Sequence, residues 1–167
     1  MKASALKSMA VISMADGVEI GRVDDVLFDT TNLRVAALAL ATSGGQSVLP
    51  FSSVHRIGED AVTVEAASAA QPAPTMTQGI ALRHLSDLIG LKIVNGEGTY
   101  LGDVREVLID EAVGGITQLE GHRGGMLGMG GTSVLVPAAD IRGIGPDLVT
   151  ANMPAHPFAG EAADTST

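Results

Sequence analysis

The chain repeats itself, and that repetition limits its fold more than any other feature of the sequence. Displaced by 81 positions, DGVEIGRVDDVLFD (16–29) lies over EGTYLGDVREVLID (97–110). The overlay matches Gly17 with Gly98, Gly21 with Gly102, Val23 with Val104, Val26 and Leu27 with Val107 and Leu108, and Asp29 with Asp110. Ile12 and Ile93 match at the same displacement. Further along the displacement becomes 87, and VLPFSSVHRIGEDAVTV (48–64) lies over LVPAADIRGIGPDLVTA (135–151). Pro50 then meets Pro137, Ile57 and Gly58 meet Ile144 and Gly145, Asp60 meets Asp147, and Val62 and Thr63 meet Val149 and Thr150. Two copies of one unit imply two similar modules rather than one large core. The change from 81 to 87 requires six inserted residues between 120 and 134, where the glycine-rich run GHRGGMLGMGG (121–131) stands. The expected organisation is a first copy over 1–66, an Ala- and Pro-rich linker over 67–79, a second copy over 80–153 and a polar tail over 154–167.

Inside each copy Val, Ile and Leu cluster in short runs bounded by turn chemistry such as Asp-Gly and Gly-Glu-Gly, with no sustained helical period. An all-β fold follows, two small antiparallel β-barrels in tandem. Only GIALRHLSDLIG (79–90) reads as a helical turn, with Ser86 and Asp87 as cap candidates. The linker AASAAQPAPTMTQG (66–79), broken by Pro72 and Pro74, reads as neither strand nor helix. The triplets Val26-Leu27-Phe28 and Val107-Leu108-Ile109 place apolar groups on both faces of their strands. Both faces therefore need cover, and the reading is that the copies pack on each other, or on a second copy of the chain in a homodimer, through Val26, Phe28, Val107 and Ile109. A unit of roughly 65 residues is marginal alone, so such packing adds stability.

The pattern Gly-x-x-(Ile/Leu)-Gly-x-Val-x-(Asp/Glu)-Val-Leu-x-Asp is carried by Gly17, Ile20, Gly21, Val23, Asp25, Val26, Leu27 and Asp29. It recurs as Gly98, Leu101, Gly102, Val104, Glu106, Val107, Leu108 and Asp110. Val48 to Pro50, Val54, Ile57, Gly58, Asp60 and Val62 complete the first copy, and Pro137, Ile141, Ile144, Gly145, Asp147 and Val149 the second. This pattern resembles the PRC-barrel family, which is named for the cytoplasmic domain of the photosynthetic reaction-centre H subunit and includes the carboxy-terminal domain of the ribosome maturation factor RimM. The resemblance implies a small β-barrel used as a docking module. It carries over neither photosynthesis nor ribosome assembly, because the chain has neither the transmembrane helix of the first relative nor the RNA-associated domain of the second. It is similar instead to free-standing PRC-barrel proteins.

Composition excludes several functions. A net charge of −9 repels phosphate backbones and anionic lipid, and an aromatic content of 2% leaves little for bases to stack on, so nucleic acid is not an expected partner. Without cysteine there is no disulfide, thiolate catalysis or cysteine-ligated zinc. No apolar run approaches the ~20 residues of a spanning helix, and the amino terminus lacks a signal-peptide pattern, so a soluble cytoplasmic protein is expected. Gly125 to Thr132 comes close to the phosphate-loop spacing, but Gly131 holds the lysine position and a strand-like SVLVP follows instead of a helix. His55, His84, His122 and His156 occur singly, without zinc-ligand spacing, and no nucleophile motif is present.

The leading expectation, following the docking role that the resemblance implies, is a non-enzymatic interaction or assembly adaptor without a cofactor, binding a protein partner. Met126, Leu127 and Met129, apolar residues in an otherwise flexible loop, are the candidate partner-binding group. The alternative is a domain for a cation or small polar ligand, using the repeated acidic turns at Asp25, Asp29, Glu106 and Asp110. Against it, Asp29 and Asp110 end strands and are expected to bond turn amides. An enzyme whose site is assembled from distant residues is a third reading.

Overall fold

The computed structural model describes residues 1–72, 82–124 and 131–154. The chain divides into two compact units, Met1–Ser86 with Ile109–Ile116, and Asp87–Leu108 with Thr117–Thr167. The first unit begins with a 3₁₀ turn over Ala3–Leu6 that buries Ala3 and Leu6. Then come β1 (Ala10–Ser13), β2 (Val18–Asp29), β3 (Arg34–Thr42), β4 (Gly45–Pro50), β5 (Val54–Ile57), β6 (Ala61–Val64), β7 (Gln71–Pro72) and β8 (Leu82–His84). They hydrogen-bond in the order β5-β6-β1-β2-β3-β4-β7, with β8 also on β2.

The long strand β2 explains most of this arrangement. It is twelve residues long, while the four-residue β1 pairs only with Val18–Arg22. The far end of β2 is left open on that side, and β8 fills it, with Leu27 opposite His84, Phe28 opposite Arg83 and Asp29 opposite Leu82. Asp25 to Phe28 are consecutively buried, as the apolar triplet required. Leu27 packs on Ala37 and Val48, with Ala39 and Leu82 covering that cluster. The strand that completes the sheet thus also covers its second face. Val26 and Phe28 are fully buried.

A short helical turn, α1 (Leu85–Leu88), leads into β9 (Lys92–Asn95), β10 (Tyr100–Ile109), β11 (Ile116–Gly124), β12 (Gly131–Pro137), β13 (Ile141–Ile144) and β14 (Leu148–Ala151). Their order, β12-β11-β10-β9-β14-β13, reproduces β4-β3-β2-β1-β6-β5 strand for strand. Val107 and Ile109 are buried like their counterparts in the first copy. The β3 and β4 hairpin closes at Thr42 opposite Gly45, whereas β11 and β12 run one pair further, to Gly124 opposite Gly131, so the insertion lengthens this hairpin by one strand pair and its connection by four residues. Met126, Leu127 and Met129 lie outside the described residues, as does the chain beyond Pro154.

Several details depart from the sequence reading. Each sheet contains one parallel pair, β1 with β6 and β9 with β14, amid otherwise antiparallel pairing. The chain makes a long excursion through four strands before β6 returns beside β1, and such a crossover permits parallel pairing where a hairpin would not. The partner of Ile93 is Val11 rather than Ile12, since Val11 faces Val62 and Ile93 faces Val149. Matching hydrogen bonds, Ser8 N to Val23 O and Gly90 N to Val104 O, fix this alignment. The start of the linker is structured: Ala67–Ala69 is a 3₁₀ turn, and Gln71–Pro72 pairs with β4. Pro72 is tolerated there because β7 is an edge strand, where a missing N–H breaks no ladder. Ser86 and Asp87 lie inside α1 instead of capping it, and the Ser86 hydroxyl bonds the Asp25 carboxylate 3.0 Å away.

Candidate functional site

The first unit carries a groove of about 640 Å³ lined by Arg34, Phe51, His55, Arg56, Glu111 and Val113, with Ser52, Val54, Ile57 and Ala112 between them. One wall is the turn between β10 and β11. Asp110 Oδ1 accepts the Ala112 amide at 2.8 Å, and Gly114 N donates to Asp110 O at 2.7 Å. Gly114 takes a φ of +81°, in the left-handed region that favours glycine. Its carbonyl accepts Val35 N at 2.8 Å, while Ile116 N donates to Leu33 O at 2.8 Å. Arg34 Nη2 adds a bond to Val113 O at 3.0 Å. The turn is held against the start of β3 by main-chain bonds at both ends.

The opposite wall follows Pro50, where a 3₁₀ turn over Phe51–Ser53 carries the chain into β5. The Phe51 ring lies against Gly114 so closely that a Cβ there would meet Cε2 at 2.8 Å. β5 forms an edge of the sheet and pairs with β6 alone among the described residues. Its register shifts between Val54 and Arg56, leaving His55 as an extra residue. Such a bulge re-aims side chains, and both His55 and Arg56 line the groove. In a chain of net charge −9, two guanidiniums and an imidazole face a single carboxylate, Glu111. Val113 is 59% exposed, an apolar group open to solvent at the rim.

The second copy repeats this chemistry only in part. Ala138 stands where the first copy has Phe51, and Gly143 where it has Arg56. Arg142 stands where the first copy has His55, and a different hollow of about 350 Å³, along Gly143 to Leu148 and Thr150, is lined by no basic side chain.

The four acidic candidates occupy two kinds of place. Asp25 and Glu106 are buried and each bonds the next amide of its own strand, Val26 N at 2.8 Å and Val107 N at 3.1 Å. Asp25 Oδ2 also accepts the Ser86 hydroxyl and lies 3.2 Å from His84 Nδ1. The Asp29 carboxylate accepts Thr31 N, Asn32 N and Asn32 Nδ2 at 3.0, 3.1 and 2.7 Å. The Asn32 side-chain amide, then its backbone amide, hold the Asp29 carboxyl below its ordinary pKa. Asp29 and Asp110 thus close turns, as expected. Among the described residues no three His, Asp or Glu side chains converge in a metal-ligand group.

A cluster absent from the sequence reading lies in the second unit. Lys92 Nζ sits 5.1 Å and the Arg123 guanidinium 5.7 Å from the centre of the Tyr100 ring, both within cation–π range. Burial of the hydroxyl, and then Asp103 beside it, raise the Tyr100 pKa.

Two sheets of identical strand order, built on aliphatic cores, define a tandem of small β-barrel modules. The family model for the PRC-barrel domain matches residues 1–71 and again residues 82–155, and the chain belongs to that family. No curated protein matches it. PRC-barrel domains are small modules often involved in interactions, and the family is generally non-catalytic. Among the described residues no helix is long and apolar enough to cross a membrane.

Proposed function

We propose that this protein is a non-enzymatic adaptor that docks a protein partner in the groove of its first unit. The observation that carries this reading is the coincidence of a cavity of about 640 Å³ with the edge of β5 that is unpaired among the described residues. A concave site of this size suits a ligand-sized group, and an open strand edge offers main-chain donors and acceptors to an incoming segment. The apolar rim at Val113 adds surface that gains from being covered.

The test is site-specific photo-cross-linking in lysate of the source cells. A cross-linking residue in place of Val113 should give one adduct of defined mass, and the same residue in place of Glu19, exposed and away from the groove, should not. No adduct at 113, or equal adducts at both positions, would remove this reading.

A further inference from the structure

We infer that the groove binds an extended peptide segment in which an acidic side chain neighbours an aliphatic one, the segment adding alongside β5. This inference rests on the docking reading above and gives the partner its chemistry. Added strands gain affinity from main-chain hydrogen bonds and specificity from side-chain pockets. β5 supplies the first through its open edge, and the groove beside it supplies the second.

Charge selects the acidic residue. Among the described residues Arg56 has no side-chain hydrogen bond or ion pair, and Arg34 commits one Nη2 bond to Val113 O, leaving the rest of its planar fork for a carboxylate. The apolar requirement comes from Val113, which is 59% exposed, and from Phe51. Glu111 lines the same groove, so a segment of uniform negative charge fits less well than a single acid beside an apolar neighbour. The second copy supplies an internal control. Its β13 is also an edge strand with the corresponding bulge, and Arg142 stands there in place of His55, but Gly143 and Ala138 leave it without the Arg56 guanidinium and the Phe51 ring.

The test uses the full ¹⁵N-labelled chain and three probes: acetyl-Gly-Leu-Glu-Val-Gly-amide, its Gln counterpart, and hexanoate. The acidic peptide should shift the amides of residues 51–57 and 111–113 and leave 138–144 in place. The Gln peptide should bind about tenfold more weakly or worse, as expected when a charge-assisted bond is lost. Arg56→Gln should weaken the acidic peptide by a similar factor while the rest of the spectrum stays unchanged. Arg56→Glu should favour a Lys-containing peptide over the Glu one. Four results would overturn the inference: no shift at 51–57, equal binding of the Glu and Gln peptides, response to hexanoate without response to peptide, or shifts at 138–144. A defined cross-link at position 113 with any of these results leaves the docking reading standing and removes this one. Loss of the cross-link as well removes both.

Discussion

Ser8 and Gly90 hold the same place in the two copies, and both have positive φ, 74° and 96°. An L-residue in that region costs roughly 1–2 kcal/mol, partly offset because glycine loses more chain entropy on folding. Ser8→Gly is therefore expected to raise stability by up to about 1 kcal/mol and Gly90→Ser to lower it by about as much, both read from urea midpoints. Leu33 and Gly114 form a second such pair, at 53° and 81°. At Gly114 a methyl group would meet the Phe51 ring as well as the strained backbone, so Gly114→Ala should cost about 2 kcal/mol or more and shift the resonances of Phe51. Tyr100 is the single tyrosine in a chain without tryptophan, so its phenolate absorbance reports one residue. Its midpoint should lie above the ordinary tyrosine value of about 10. With the folded pKa raised, its contribution to stability is complete below that value and is lost as pH rises through the folded one.

β2 and β8 show where local sequence stops being informative. The strands themselves, the duplication and the turns at Asp29 and Asp110 were legible because alternation, turn residues and repeats are written within a few positions of one another. The pairing of β8 with β2 was not, since nothing within Leu82-Arg83-His84 specifies an edge whose strand lies more than fifty residues earlier. Asp25 stands out in the sequence for its charge, yet its partners His84 and Ser86 lie 59 and 61 residues away, and they make it a clasp. Asp25→Ala should cost about 2 kcal/mol, because the buried Val26 amide and the Ser86 hydroxyl lose their acceptor. Amide exchange should quicken first across Leu82–Leu88 rather than through the whole sheet. The groove escaped the sequence for a related reason, its walls coming from 51–57 and 111–113. One signal was nonetheless present, the divergence of Phe51 from Ala138 and of Arg56 from Gly143 in otherwise parallel copies.

Across the whole molecule, repeat boundaries and compact units do not coincide. The first unit takes in Ile109–Ile116, and Met1 exchanges two hydrogen bonds with Ile109, at 2.9 and 2.8 Å. A chain of residues 1–72 therefore lacks β8, the Leu82 cover over Leu27, Ala37 and Val48, and the turn that seats Phe51. It is expected to bind a hydrophobic dye and to melt at lower temperature and with less cooperativity than the full chain, whereas residues 1–116 should restore amide dispersion to the 51–57 segment. The same discontinuity sets a schedule for synthesis. On the ribosome, at roughly 5–20 residues per second, the nascent first module waits seconds for its last turn to be made. Through that interval the apolar face around Leu27 stays open until Leu82 emerges, and the groove has a single wall until the turn at 111–113 follows. If the groove docks a partner as proposed, that partner would recognise only chains whose translation has passed well into the second repeat.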